Sequence, residues 1–247
     1  MTAPSKQYAR RLAAFGFLVA LATYACVAGG PQLVHRVAGR EMLVENVGAL
    51  AFLATAILFL VMALRERRRA SVWRKVQLFG LAAFFFLAFG EEASWGQHWL
   101  GFQTPEELRT LNAQEETNLH NLWVLDSYEA DGGKTRGLEK KQGLAALLLN
   151  SNRLFDLIMI GFFWLLPAAA AFPTPLRAWL ARLGTPVPAW PFAWLLLANF
   201  AASGLAELLL VDGMVRHLAV SEIREFVYAL LALLAAIELR RRPAPAL

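Results

Sequence analysis

Charge and cysteine are what this chain has least of. Only 17% of its 247 residues are charged, while 57% are hydrophobic; a soluble domain carries about 25% charge. A soluble globular class is therefore excluded. The single cysteine, Cys26, rules out an internal disulfide framework and a CxxC redox motif. A glycine-rich phosphate loop, a Walker motif and a haem-attachment CxxCH are missing, so nucleotide-driven and haem chemistry have no sequence support. Histidine is scarce, at four residues, and the dense paired histidines of a desaturase are absent.

Long apolar runs are what the chain has instead. They cover 12–30, 43–64, 76–95, 154–172, 190–211 and 218–238, each close to the roughly 20 residues that cross a hydrocarbon core as helix. Nothing alternates as a lipid-facing barrel strand would, so the spans are helices. The expectation is an all-α, polytopic membrane bundle of six transmembrane helices, one domain over 1–247. Lysine and arginine set its orientation. Lys6, Arg10 and Arg11, then Arg65, Arg67, Arg68, Arg69, Arg74 and Lys75, then Arg177 and Arg182, then Arg240, Arg241 and Arg242 fall on one side if the N-terminus is inside. The short, dense segment RERRRASVWRK is the kind of loop that the positive-inside rule weights most. Both termini are thus expected inside, with Glu66 and Glu238 as the only inward acids. A basic inner face meeting anionic lipid explains the net charge of +5 without nucleic acid. Cys26 reads as a small apolar residue of a first span that is retained, not cleaved.

The outward loop, 101–152, begins as structure. TPEE places Thr104 at an N-cap, Pro105 at the first helical position and Glu107 at the capping-box site, which predicts a helix from Pro105 to about Asn121. EADGGKTRGLEKKQG then reads as a mobile linker, and NSNR caps span four. Trp95, Trp99, Phe102, Trp123 and Tyr128 bracket the loop at headgroup level.

Acids and imidazoles are concentrated at the junction of span three and this loop. A helix continuing out of the span puts Glu91, Ser94, Trp95 and His98 on one stripe. The second helix puts Asn112, Glu116 and His120 on one face, and Gly101 supplies the reversal between the two. Each helix then offers a glutamate and a histidine, suited to a divalent metal or to acid and base work. Glu45, Asn46, Asp156, Ser203, Glu207, Glu222, Arg224 and Glu225 lie toward the same leaflet, and ionisable groups within spans are costly enough to be functional candidates. Plainer roles compete. Glu222, Arg224 and Glu225 suit an interfacial ion cluster, Asp156 a local pair with Arg153, Glu207 a hydrogen bond to a neighbouring span, and His35 and His217 solvation.

The stretch GEEASWGQ followed by NAQEETNLHN, roughly 89–122, resembles a signature of uncharacterised multi-pass proteins of bacterial inner membranes. That resemblance implies an inner-membrane location and no activity. Glu91 and Glu92 are also similar to the glutamate pair of the CAAX-protease and bacteriocin-processing membrane family. In this chain Gly96 stands at that family's arginine position, Glu116 precedes His120 where it has phenylalanine, and His217 with Ser221 is the match to its third motif. An alkaline-ceramidase-type zinc amidohydrolase is similar in combining histidines with an acid and a serine in a helical bundle, and would draw on His98, His120 and His217.

The function expected from these residues is a membrane-embedded hydrolase acting from the extracytoplasmic side on a lipid or lipid-linked substrate. Glu91 or Glu92 would activate water, assisted by Glu116; His98, His120 and Glu116 would hold zinc or iron or carry protons. The alternative is a non-catalytic subunit or assembly factor that docks a membrane partner through 89–122. Transport is disfavoured, because the inner halves of the spans carry almost no polar groups.

Overall fold

The computed structural model describes residues 3–39, 42–66, 71–126, 128–131, 135–173, 175–211 and 213–242. Arg67, Arg68 and Arg69 of the expected basic loop lie outside the described residues. In chain order the helices are α1 (Ala3–Ala25), α2 (Pro31–Ala38), α3 (Leu43–Arg65), α4 (Val72–Glu92), the short α5 (Gln97–Leu100) and α6 (Glu106–Arg109), α7 (Gly143–Leu148), α8 (Ser151–Ile160), α9 (Leu166–Ala171), α10 (Pro175–Leu183), α11 (Trp190–Leu209) and α12 (Met214–Arg241). An antiparallel hairpin of β1 (Tyr128–Asp131) and β2 (Thr135–Lys140) occupies the long loop 101–152.

Local signals account for several boundaries. Pro31 opens α2, where its missing N–H costs nothing. Ser71 caps α4 by accepting the Arg74 amide. A π-helical turn, Gly161–Leu165, joins α8 to α9 as one rod.

Among the described residues, five segments are long and apolar enough to cross a membrane: Ser5–Ala28, Pro31–Arg65, Val72–Glu92, Ser151–Ala171 and Trp190–Leu209. The expected sixth span, 218–238, forms as α12 but carries Glu222, Arg224, Glu225 and Glu238 along its length. It is also the central helix, packed against α1, α2, α3 and α11. From Phe226 to Ala236 it is buried nearly all round, the pattern of an internal helix. Alanines are frequent in the core that these helices share: Ala229, Ala232, Ala235 and Ala236 of α12, with Ala51, Ala56 and Ala63 of α3. Small side chains let the two backbones approach, which is how packing holds helices where lipid competes for apolar contact. Phe52, Phe59 and Phe85 stack between α3 and α4, with centroids 6.0 and 5.8 Å apart across Phe85.

One end of the bundle is basic. The Arg241 guanidinium lies 4.1 Å over the Tyr8 ring, so α1 begins where α12 finishes. Glu66 and Glu238, the two acids expected on the inner face, are each gripped by an arginine. Arg74 forks Glu66 and donates to the Gly184 carbonyl at 2.6 Å. Arg242 forks Glu238 and donates to Val187 at 2.8 Å. Such paired charge leaves no stranded carboxylate at this end.

At the opposite end the segment expected to be a mobile linker carries β1 and β2 instead. Cross-strand backbone pairing forms on either side of Gly132, Gly133 and Lys134, which lie outside the described residues, and Lys141 fastens the end of the segment. The buried Lys141 ammonium donates to the carbonyls of Val124 (2.7 Å), Asp126 and Leu149 (2.8 Å).

Candidate functional site

Helix α4 does not continue into the loop. After Glu92 the chain turns through Ser94, Trp95 and Gly96 with φ of 43°, 55° and 83°, so the expected stripe of Glu91, Ser94, Trp95 and His98 is broken. Left-handed backbone at two residues with side chains is strained and persists only where its surroundings enforce it. Here the Trp95 ring folds back over Gly90, where a Cβ would sit 2.8 Å from the indole. The Trp95 indole N–H donates to Glu91 Oε1 at 3.0 Å. Gly90→Ala is therefore expected to expel the indole and break this bond, read as a red shift and loss of structure in tryptophan emission with the bundle's helical circular dichroism unchanged.

The second expected helix, Pro105 to about Asn121, is also absent; only the single turn α6 forms. Side chains that compete for backbone hydrogen bonds explain this. Asn112 Oδ1 accepts the amides of Gln114 (2.8 Å) and Glu116 (3.3 Å), while its Nδ2 donates to the carbonyl and side-chain oxygens of Asn118 at 2.8 and 2.9 Å. Thr104 is not a cap. Its hydroxyl meets Gln97 Oε1 at 3.1 Å, the Glu115 carbonyl at 2.8 Å and Thr117 Oγ1 at 3.2 Å. The result is a loop stapled by amides and hydroxyls and laid back over the end of α4.

That loop brings the expected acids and imidazoles together with partners exchanged. Glu116 comes to His98, with Oε1 3.6 Å from Nε2. Glu91 comes to His120: its Oε2 accepts the amides of Leu119 (2.7 Å) and His120 (2.9 Å) and lies 3.4 Å from His120 Nδ1. Beneath them Ser94, Glu116 and Asn118 form a buried triangle. The Ser94 hydroxyl donates to Glu116 Oε2 at 2.7 Å, and Asn118 Nδ2 donates to both, at 3.0 and 2.8 Å. Glu91 and Glu116 are thus committed to holding the loop and its histidines.

Glu92 points elsewhere, toward α3 and α12. Carboxylate oxygens of Glu92, Glu222 and Glu225 lie within 4.8 Å of one another, and Glu45 adds its charge to theirs. Gly48 lies beside it, and a Cβ there would be in ordinary contact with Glu92 Oε1 at 3.7 Å. Ser221 donates to Glu225 Oε1 at 3.2 Å. Among the described residues this is the set of three ligand groups close enough to share an ion; the expected trio of His98, His120 and Glu116 does not make one. Glu222 and Glu225 look like a headgroup ion cluster in sequence. Their three-residue spacing at the start of an apolar helix was the available signal, and only tertiary packing brings Glu92 to them.

Three cavities meet at Glu92. A small one, about 30 Å³, is lined by Glu45, Glu92, Glu116, His120, Glu222 and Glu225 among others, and that volume holds a water or an ion. The larger, about 250 Å³, runs between α4, α8 and α12. Its polar side has Glu91, Glu92, His120, Asp156, Arg224 and Glu225; Phe52, Phe84, Leu87 and Phe155 form an apolar wall. Asp156 turns to Tyr228, accepting its hydroxyl at 2.6 Å, in place of the expected local pair with Arg153. His98 lines a third cavity with Glu45, Asn46 and Glu92, closed by Trp99, whose indole donates to Asn46 Oδ1 at 2.8 Å. Glu207 and His217, at 3.0 Å, pair near the surface away from these cavities. No family model, curated protein or solved structure matches the chain.

Proposed function

We propose that the chain is a membrane-embedded hydrolase acting on a lipid or lipid-linked substrate at the extracytoplasmic leaflet of a bacterial inner membrane. The observation that carries this reading is the larger cavity, where an acid and imidazole cluster faces an aromatic wall between membrane-length helices. Pockets that combine apolar walls with a few convergent polar groups are the usual form of a small-molecule site, and this one suits an amphiphile. Helix α12 serves as the sixth span. Its charges face the bundle interior, where intramembrane charges are tolerated, and the arginine-rich end marks the cytoplasmic side, with both termini inside.

In the proposed chemistry Glu92 is the general base. Its carboxylate takes a proton from a water in the small cavity, the hydroxyl oxygen adds to the scissile centre, and the bond from that centre to the leaving oxygen or nitrogen breaks as the leaving atom takes the proton from Glu92. Glu91 positions His120 at the same cavity, and Glu116 positions His98. A divalent ion bound by Glu92, Glu222 and Glu225 would lower the pKa of that water. The carboxylate-rich donor set fits a hard ion such as magnesium or manganese; His120 lines the same small cavity and would be the nitrogen donor for zinc or iron. A second reading, a docking subunit, draws support from Trp95, Trp99, Leu100, Phe102 and Leu119, all exposed on the loop; those side chains equally suit a headgroup belt.

Product release from short-chain ester-, amide- and phosphoester-linked lipids by the purified chain tests the hydrolase directly. Turnover of one class, lost in Glu92→Gln, is expected; no turnover of any class together with stable co-purification of a membrane partner would favour the subunit. Orientation has its own test. In a Cys26→Ala background, Glu139→Cys is expected to react with an impermeant thiol reagent added outside cells, and Ala178→Cys to react only after lysis. Reversed labelling would move the site to the cytoplasm.

A further inference from the structure

Arg224 is a cation that this hydrolytic scheme leaves without a role. Its Nε is buried with no hydrogen-bond partner, and among the described residues its guanidinium enters no hydrogen bond or ion pair. Asp156 and Glu225 are near enough to stabilise its charge electrostatically, but Asp156 Oδ1 already accepts the Tyr228 hydroxyl. The backbone at this point is fixed, because Asn199 Nδ2 donates to the Arg224 carbonyl at 3.1 Å. Arg224 opens into the larger cavity, which Ser151 and Asn152 also line. These two residues start α8, directly after its cap Asn150, where backbone amides have no acceptor within the helix.

We propose that Arg224 receives the phosphate of a phospholipid-like substrate whose chains lie along Phe84, Leu87 and Phe155. The inference rests on the hydrolase reading and names its substrate class. A guanidinium fork together with first-turn amides offers more donors than a carboxylate has oxygens to use, and matches a phosphate. Glu91, Glu92, Asp156 and Glu225 face the same cavity and oppose any phosphate, so a free phosphate ion lacks the attraction needed to enter. Burial of chains against the aromatic wall supplies the attraction that selects an amphiphile.

Binding of dioctanoyl phosphatidic acid, dioctanoylglycerol and inorganic phosphate to the full chain in detergent tests this. Phosphatidic acid is expected to bind about tenfold tighter than dioctanoylglycerol, the worth of a charged hydrogen bond, and inorganic phosphate is expected not to compete. Arg224→Gln should erase the preference and Arg224→Lys retain part of it. Equal binding of the two lipids, a preference that survives Arg224→Gln, or displacement by inorganic phosphate at the lipid's own concentration would overturn the assignment. If Arg224→Gln fails to fold, Asn152→Asp at the exposed mouth takes its place, and an unchanged preference there would count equally against the site. Glu92→Gln separates the two readings, since it is expected to keep the preference while abolishing hydrolysis. Preference without hydrolysis in the wild type removes the hydrolase reading alone; hydrolysis without preference removes the phosphate site alone.

Discussion

Glu92→Gln is expected to lower turnover by about 10²- to 10⁴-fold, the usual contribution of a positioned general base, while raising the thermal stability of metal-free protein. Both effects have one cause. Glu92, Glu222 and Glu225 hold their oxygens within 4.8 Å, and like charges at that separation repel by roughly 3 kcal/mol at an effective dielectric near 20. Such a cluster is unfavourable for folding and persists where it serves a ligand or a reaction. Glutamine keeps the shape and removes the charge, so the fold gains while the proton acceptor is lost. Turnover and melting temperature of the two proteins, measured with chelator present and absent, check both halves. A destabilised variant with full activity would mean that Glu92 is a packing residue.

Asn112→Ala has the second-largest expected effect, and it acts through the loop. The Asn112 side chain donates to Asn118 and accepts from Gln114 and Glu116, and it is buried to 2% exposure. Each partner stranded without solvent costs about 1–3 kcal/mol. Since Glu116 and Asn118 are among those partners, the triangle with Ser94 loosens and His98 loses its carboxylate. Limited proteolysis is expected to cut between residues 101 and 126 at least about tenfold faster, equivalent to 1.4 kcal/mol of local stability. Helical circular dichroism of the bundle is expected to stay unchanged, because α6 contributes a single turn. Intact resistance to protease would show that the backbone holds the loop without the amide staple.

How much of this arrangement is legible in sequence varies with the range of the forces involved. Spans are legible because twenty apolar residues in a row have few other uses, and α12 could be placed as a helix despite its charges. Its central position could not, since that depends on its packing against α1, α2, α3 and α11 at once. The end of α4 was misread because Glu91, Ser94, Trp95 and His98 keep helical spacing while Gly96 alone signals the left-handed turn. The motif TPEE carries every local sign of a capped helix. Asn112, Thr104 and Asn118 override it through contacts that capping rules do not include. The pairing of Glu91 with His120 spans 29 residues, and only the reversal at Ser94–Gly96 creates it. Glu222 and Glu225 came within reach of Glu92 by the packing of α12 on α3, for which the sequence pattern has no local sign.

The most direct test of the acid cluster as a catalytic centre is the divalent-metal content of the full chain, purified in detergent and dialysed against a metal mixture without chelator. About one equivalent is expected, as for a single closed ligand set, with loss of the ion in Glu92→Gln and in Glu225→Gln and retention in His217→Ala, whose side chain lies outside the cavities. Wild-type protein that binds no metal, or Glu92→Gln protein that keeps its full equivalent, would contradict a metal-assisted centre at Glu92.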